Sequence, residues 1–302
     1  LWDNVFDGAG SAGCVLAGRL WQDPDIRVLL LEAGGSPKGF WSNAPAGMAN
    51  MMSSDRFNWS YMSEPEPGLR QRRIPWPRGK ALGGSSAING MVYTRGNRRD
   101  YDHWQALGNP GWSWNDLLPH FKRLEDNVRG ENAYRGVGGP LKVGEQRLDS
   151  PAVQGFIDAA SSRGAPRVDA LSVAGEEGVG ALQATIHKGI RQSSYTAFVV
   201  PALGSGNLTV MSDARVLRVI LREGEAVGVE ILRSGEKQIV HATREVILSA
   251  GVVGSPHLLM MSGIGDSDSL QHHGITASVH LPGVGKNLQD HYSVHLKASI
   301  RQ

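Results

Sequence analysis

Val5-Phe6-Asp7-Gly8-Ala9-Gly10-Ser11-Ala12-Gly13 is the stretch that decides the fold. Val5-Phe6 close a short apolar strand, and the glycines follow at once with G-x-G-x-x-G spacing. Cys14, Val15, Leu16, Ala17 and Leu20 then supply the apolar residues of a helix. Ile26-Arg27-Val28-Leu29-Leu30-Leu31 reads as a largely buried parallel strand ending in Glu32. Strand, glycine loop, helix, strand and acid in this order predict a dinucleotide-binding βαβ unit. The glycines permit a tight turn and close approach to a pyrophosphate, and Glu32 can accept from ribose hydroxyls. Asp7 breaks the pattern, because an apolar residue is expected at the last strand position. Its carboxylate should either turn to solvent or repel the pyrophosphate. Cys14 reads as a small core residue of the helix rather than a nucleophile.

A second glycine stretch, Gly79-Lys80-Ala81-Leu82-Gly83-Gly84-Ser85-Ser86-Ala87-Ile88-Asn89-Gly90-Met91-Val92-Tyr93, organises the middle of the chain. Adjacent glycines let backbone N–H groups close on an anion, and two hydroxyls follow. The apolar run after them predicts a helix N-terminus, where the dipole also favours negative charge. Such a cradle suits a phosphate or an electron-rich ring; a glycine turn before a buried helix is the plainer alternative.

The 302 residues suffice for one large or two ordinary domains, and an apolar content of 40% supports a sizeable core. The 39 glycines come without a periodic repeat, which points to tight turns and close backbone approaches. Lys and Arg (31) nearly balance Asp and Glu (29), and the lack of a basic stripe argues against a nucleic-acid partner. With Cys14 as the sole cysteine there is no disulfide framework and no zinc-thiolate cluster. No apolar run reaches the roughly 20 residues needed to span a bilayer, and no signal peptide is seen. A cytoplasmic location, with peripheral membrane association as an option, is the corresponding expectation. A start at Leu1 within fold-like sequence suggests a fragment.

Residues 34–77 read as irregular, and such a long segment is usually functional or wrapped around something. Arg98 and Arg99 read as solvated, in the approach to a short helix. Ser113 begins a capping box for a helix reaching Leu124, and Ser150-Pro151 opens one running to about Ser162. Residues 181–186 suggest a strand and 192–198 a helix. Leu208–Met211, Val216–Leu221, Val227–Leu232 and Gln238–His241 suggest an antiparallel meander, followed by a separate buried strand over Glu245–Ser249. In Gly251–Gly265, Ser255 is expected to cap a helix that starts at Pro256 and ends at Gly263. His103, His120, His257, His272 and His273 lack metal-ligand spacing, and His291 and His295 lack a third ligand.

Taken together, the Gly8–Gly13 loop with Glu32, Gly79–Tyr93, Gly251–Gly265 and Gly283–His291 resemble the glucose-methanol-choline (GMC) flavin oxidoreductases, the middle two matching that family's diagnostic motifs. Val252 departs from the small residue usual there. Asn58–Tyr61 and Tyr93–Trp104 look closest to the choline dehydrogenase and alcohol dehydrogenase branch. The resemblance implies an α/β fold of mixed α+β elements: an FAD-binding Rossmann-like domain from 1–150 and 200–302, with 151–199 as part of a truncated substrate-binding domain.

It further implies FAD held at its pyrophosphate by Gly8, Gly10, Ser11, Ala12 and Gly13, and at its adenosine ribose by Glu32. Gly84, Ser85, Asn89, Gly90, Met91 and Val92 line the pyrophosphate and flavin, and the backbone of Val216 meets the adenine. Ile88 stands where some members carry a histidine bonded to the flavin, so non-covalent binding is expected. The implied reaction takes a proton from an alcohol hydroxyl and passes hydride to flavin N5, giving an aldehyde. The alcohol, and whether oxygen or a quinone-type acceptor reoxidises the flavin, stay open. The family's catalytic histidine and its His or Asn partner have no counterpart here, so no catalytic residue is assigned. The chain resembles the N-terminal part of such an enzyme. A catalytically inactive FAD-binding or interaction module and a nicotinamide-dependent dehydrogenase are the competing readings.

Overall fold

The computed structural model describes residues 1–146, 150–168 and 177–290. It separates into two compact units, one formed by Leu1–Asn89 with Ser193–Asp290, the other by Gly90–Gln192.

The first unit is built on a six-stranded mixed sheet with helices, an α/β arrangement. Its strands are β1 (Trp2–Asp7), β2 (Val28–Leu31), β3 (Leu208–Met211), β4 (Ala214–Arg222), β5 (Glu225–Arg233) and β6 (Glu236–Leu248), in the spatial order β3-β2-β1-β6-β5-β4. The first four in that order are parallel, and β5 and β4 continue antiparallel. Helix α1 (Ser11–Leu20) joins β1 to β2. Phe6 and Leu30 point into a core with Cys14, Ala17 and Val199, whereas Val5, Leu29 and Leu31 pack with Val216, Val219, Val229 and Ile231. Both sheet faces are thereby covered. Hence Val28–Leu31 is a continuous apolar run rather than an alternating one.

Three strand and helix expectations are corrected here. Leu208–Met211 does not join the meander; it pairs in parallel with β2, from Leu208↔Val28 to Met211↔Leu31. Gln238–His241 and Glu245–Leu248 are parts of one strand, β6. Its first half pairs antiparallel with β5 and its second half parallel with β1, and the polar Thr243-Arg244 between them hides the continuity in sequence. The helix after it, α2 (Gly251–Met261), starts four residues before Ser255, with Pro256 inside it. Ser255 reaches back instead, its hydroxyl accepting the Ala250 N–H at 3.0 Å.

Residues 192–198 give a short π-helical turn, Tyr195–Val199, followed by a 3-10 turn at Val200–Ala202. The irregular 34–77 segment contains short helices at Phe40–Asn43 and Met48–Met52.

In the second unit, Val92–Tyr93, Gln183–Ala184, Leu141–Glu145 and Glu125–Asn127 form a four-stranded sheet in that order. Helices Arg98–Ala106 and Trp114–Leu124 each start with a complete capping box, Asn97 with Asp100 and Ser113 with Asp116. Helix Pro151–Ser162 has proline in its first turn, although Ser150 makes no side-chain cap. Tyr101, Trp104, Trp114 and Phe121 pack as an aromatic cluster. A buried ion pair, Arg95 to Glu125 at 2.9 Å, anchors this unit, with the Gly136 N–H donating to the same carboxylate oxygen at 2.8 Å.

Candidate functional site

The Gly8–Gly13 loop leaves β1 and turns into α1. Gly8 sits at φ +98°, and a Cβ there would lie 2.6 Å from the Ser249 carbonyl oxygen. At Gly13 a Cβ would lie 2.0 Å from the Gly8 carbonyl oxygen. The protein's own packing therefore demands both glycines. Gly10 differs: a Cβ there would find nothing nearer than Ser249 O at 3.8 Å and Gly84 Cα at 4.0 Å. Nothing in the protein requires a glycine at that position, which is the condition for a backbone that a ligand approaches closely.

Gly10 is the N-cap of α1, with no side-chain cap and no acid in the first turn. The N–H groups of Ser11, Ala12 and Gly13 thus lie at the positive end of a ten-residue helix without an internal partner. These features fit an anionic pyrophosphate, and they answer to the residues the sequence singled out.

The second glycine stretch meets the first. Gly83 donates its N–H to the Ala9 carbonyl at 2.8 Å. Gly84, at φ +51°, is so close to Gly10 that a Cβ on it would lie 2.6 Å from Gly10 Cα. Gly79 to Ala87 closes on itself, with the Ser85 hydroxyl accepting the Gly79 N–H at 3.1 Å. The helix expected here is a single 3-10 turn, Gly84–Ala87, because Gly83 and Gly84 both hold positive φ and the chain turns again before a longer helix forms. A turn this short lends no helix dipole, so the anion-binding argument rests on α1. Asn89 ends the first unit, while Gly90, Met91 and Val92 open the second, where the Met91 carbonyl accepts the Thr185 N–H at 2.8 Å.

Glu32 is buried at the end of β2, and its two carboxylate oxygens accept from Ala9 N–H (3.1 Å) and Gly34 N–H (2.9 Å). It therefore ties the glycine loop to the turn after β2, a structural task beyond the one expected from sequence. Burial pushes its pKa up to about 8 despite those two bonds, and the carboxylates of Asp7 and Asp213 add to the rise. Asp7, in register with Leu31 of β2 and Leu248 of β6, is pushed up to about 7 by burial. The start of β4 is fixed beside Glu32, with Ala214 N–H donating to the Glu32 carbonyl at 2.9 Å and Val216 two residues on. Cys14 is buried, and its thiol donates to the Ala9 carbonyl at 3.1 Å; burial raises it to about 12 and makes it inert as a nucleophile.

One participant was not singled out in the sequence. Ser194, 108 residues beyond Ser86, brings its hydroxyl within 2.8 Å of the Ser86 hydroxyl and 3.5 Å of the carbonyls of both Gly10 and Gly83. Its own N–H donates to the Ser86 hydroxyl at 2.9 Å. It pins the two glycine loops together. The Gln192-Ser193-Ser194 run offers no local signal of this, since a serine pair before a helical turn reads as an ordinary cap.

Residues 2–293 match the model of the GMC oxidoreductase family. The chain belongs to that family. The GMC chain is 44% identical to an oxygen-dependent choline dehydrogenase from Photobacterium profundum, over 100% of its own length and 53% of that protein. It is 43% identical to the mitochondrial choline dehydrogenase of Homo sapiens, over 98% of its length and 51% of that protein. Among solved structures, pyridoxine 4-oxidase from Mesorbium loti superposes with a TM-score of 0.89 at 35% identity, covering 93% of this chain and 56% of that one. An FAD-dependent oxidoreductase from Chaetomium thermophilum gives 0.86 at 30%, covering 94% and 51%. The GMC chain thus spans about half the length of the relatives it matches. Among the described residues every histidine is exposed, no cluster of His, Cys, Asp or Glu could hold a metal, and no helix is long and apolar enough to cross a membrane. His291 and His295 lie outside the described residues.

Proposed function

We propose that this chain is the cofactor-holding part of an FAD-dependent oxidoreductase that converts a primary alcohol, choline or an aliphatic or aromatic alcohol, to its aldehyde. The observation that carries the reading is the pair of glycine loops closed on each other beside the unpartnered N-terminus of α1, with room at Gly10 that the protein does not fill. The names of the choline dehydrogenases support the substrate class. Leu1–Asn89 with Ser193–Asp290 forms the cofactor unit, and Gly90–Gln192 belongs to the substrate side.

FAD, when bound, supplies the acceptor for hydride from the alcohol carbon. The chain's own part is binding and orientation. The N–H groups of Ser11, Ala12 and Gly13 hold the pyrophosphate charge against the α1 dipole, with Gly8 and Gly10 allowing the approach. Glu32 accepts from ribose hydroxyls with lone pairs left over after Ala9 and Gly34, and the Val216 backbone meets the adenine. Gly84, Ser85, Asn89, Gly90, Met91 and Val92 line the pyrophosphate and flavin. Ile88 is buried with Met51 and Ala87 and offers no nucleophile, which supports non-covalent binding. The base that takes the hydroxyl proton is assigned to residues outside those described.

Purified protein should show flavin absorbance, and acid precipitation should release all of it as free FAD. A colourless preparation that added FAD cannot reconstitute would refute the reading. A second reading, an FAD-holding chain without turnover, is favoured by the Asp7 carboxylate at the loop. Anaerobic addition of choline or a simple primary alcohol decides between them: bleaching of the flavin supports the oxidoreductase, and unchanged flavin supports the inactive module.

A further inference from the structure

An open cavity of about 510 Å³ lies next to the turn after β2, and none of glycines 8–13, Gly84 or Ser85 lines it. Its walls are the backbone of Gly34, Gly35 and Ser36 and the side chains of Lys38, Arg56, Lys80, Ser212 and Asp213. Three cations thus face one carboxylate, in a chain whose overall charge is nearly balanced at +2. Lys38, Arg56 and Lys80 have no ion-pair partner among the described residues. Elsewhere in this protein cations such as Arg73, Arg129, Lys142 and Arg218 are matched to carboxylates at 2.6–2.8 Å. Unmatched like charges gathered around one hollow raise the potential inside it and repel each other until an anion arrives.

The rim carries an aromatic platform. The Lys80 Nζ stands 5.0 Å and the Arg215 guanidinium carbon 5.6 Å from the Trp59 ring centroid. Trp59 in turn stacks on Tyr61, with 5.9 Å between centroids and 3° between planes. The cations are held by ring faces instead of carboxylates, which keeps their N–H donors available for an oxyanion.

We infer that this cavity is a second anion site, distinct from the dinucleotide cradle, taking a soluble phosphoanion of the pyrophosphate or nucleoside diphosphate class. Lys38, Arg56 and Lys80 supply charge-assisted hydrogen bonds to its oxygens, and the backbone of Gly34 to Ser36 admits it closely because two of the three residues lack a Cβ. The site is independent of the alcohol reaction.

The test is calorimetric titration of FAD-saturated protein with inorganic pyrophosphate and, separately, with ADP, flavin content being read in the same samples. Binding is expected in both titrations with flavin retained, weakened at least tenfold by the double variant Lys38→Ala/Arg56→Ala. Both side chains are exposed and outside the dinucleotide cradle, so the variant should keep its flavin and its thermal midpoint. Absence of binding overturns the inference. So does displacement of FAD by either probe, which would make the cavity part of the cofactor site, and so does binding that the double variant leaves unchanged. Loss of flavin in the unliganded wild type would speak against the FAD reading instead, and the pyrophosphate response of the double variant still decides the second site.

Discussion

Replacing Asp7 should stabilise the protein at alkaline pH and leave it nearly unchanged in acid. The carboxyl lies between Leu31 and Leu248 in the sheet and is pushed up to about 7 by burial, from an ordinary 3.8. Below pH 4 it is protonated in both folded and unfolded chains and contributes nothing. Between about pH 4 and 7 the folded chain holds a proton that the unfolded chain has released, so stability falls as pH rises, by about 1.4 kcal/mol per pH unit. Above pH 7 both states are ionised and the whole penalty is in place. A rise of roughly three units corresponds to about 4 kcal/mol, a ceiling that residual hydration of the half-buried carboxylate lowers. Asp7→Val removes the charge and puts a β-branched residue in a strand, which suits it; Asp7→Asn keeps the shape and serves as the control. Urea unfolding at pH 5, 6, 7 and 8 should show the Asp7→Val gain growing from under 1 to about 2–4 kcal/mol. Some pH dependence should persist in the variant because Glu32, at about 8, follows the same sign, though from a lower value once Asp7 no longer faces it. FAD affinity should rise with the same pH profile. Parallel stability curves for wild type and Asp7→Val would refute the reasoning, since they would mean the carboxylate is solvated in the folded chain.

The two central glycines of the first loop should separate folding from binding. Gly13→Ala places a Cβ 2.0 Å from the Gly8 carbonyl and should cost several kcal/mol in thermal or urea unfolding, whereas Gly10→Ala meets no protein atom within 3.8 Å and should fold normally while losing flavin absorbance. Ser194→Ala removes the hydroxyl that bridges Ser86 to the two loops; apo stability should drop by about 1 kcal/mol and FAD dissociation should increase several-fold, measured by flavin fluorescence on dilution. Glu125→Gln leaves the Arg95 guanidinium buried without its counter-charge, and a loss of about 3–5 kcal/mol is expected in denaturant unfolding. Here the unfolding of the second unit should be followed through Trp104 and Trp114 fluorescence.

Local patterns were legible in the sequence where a single element carried its own signal. The β1–loop–α1–β2 run could be read because the apolar runs, the glycine spacing and Glu32 are contiguous, and the capping boxes at Asn97 and Ser113 announce their helices within four residues. Long-range pairing could not be read. Leu208–Met211 looks like any four-residue strand, and only the vacant edge of β2, some 180 residues earlier, makes it parallel. β6 looks like two strands because each half answers to a different partner, so its side-chain pattern changes where the partner changes. The Gly79–Tyr93 stretch was legible as a cradle but not as a turn. Its helix was inferred from the apolar residues after the glycines, while the positive φ of two consecutive residues prevents a helix from nucleating there.

The same comparison explains why Glu32 and Asp7 belong together. From sequence, Glu32 is a ribose acceptor and Asp7 an anomaly on a different strand. In the fold they are neighbouring carboxyls at the ends of adjacent parallel strands, one held by two backbone N–H groups and the other lacking such bonds. Two N–H donors favour ionised Glu32, and ionised Glu32 disfavours ionised Asp7, so the pair accommodates one charge more readily than two. A pyrophosphate at the α1 N-terminus would add negative charge beside them and should therefore increase proton uptake by this pair. FAD binding measured in two buffers of different ionisation enthalpy should show that uptake near pH 7. It should diminish in Asp7→Val, and an equal proton uptake in wild type and variant would assign it elsewhere.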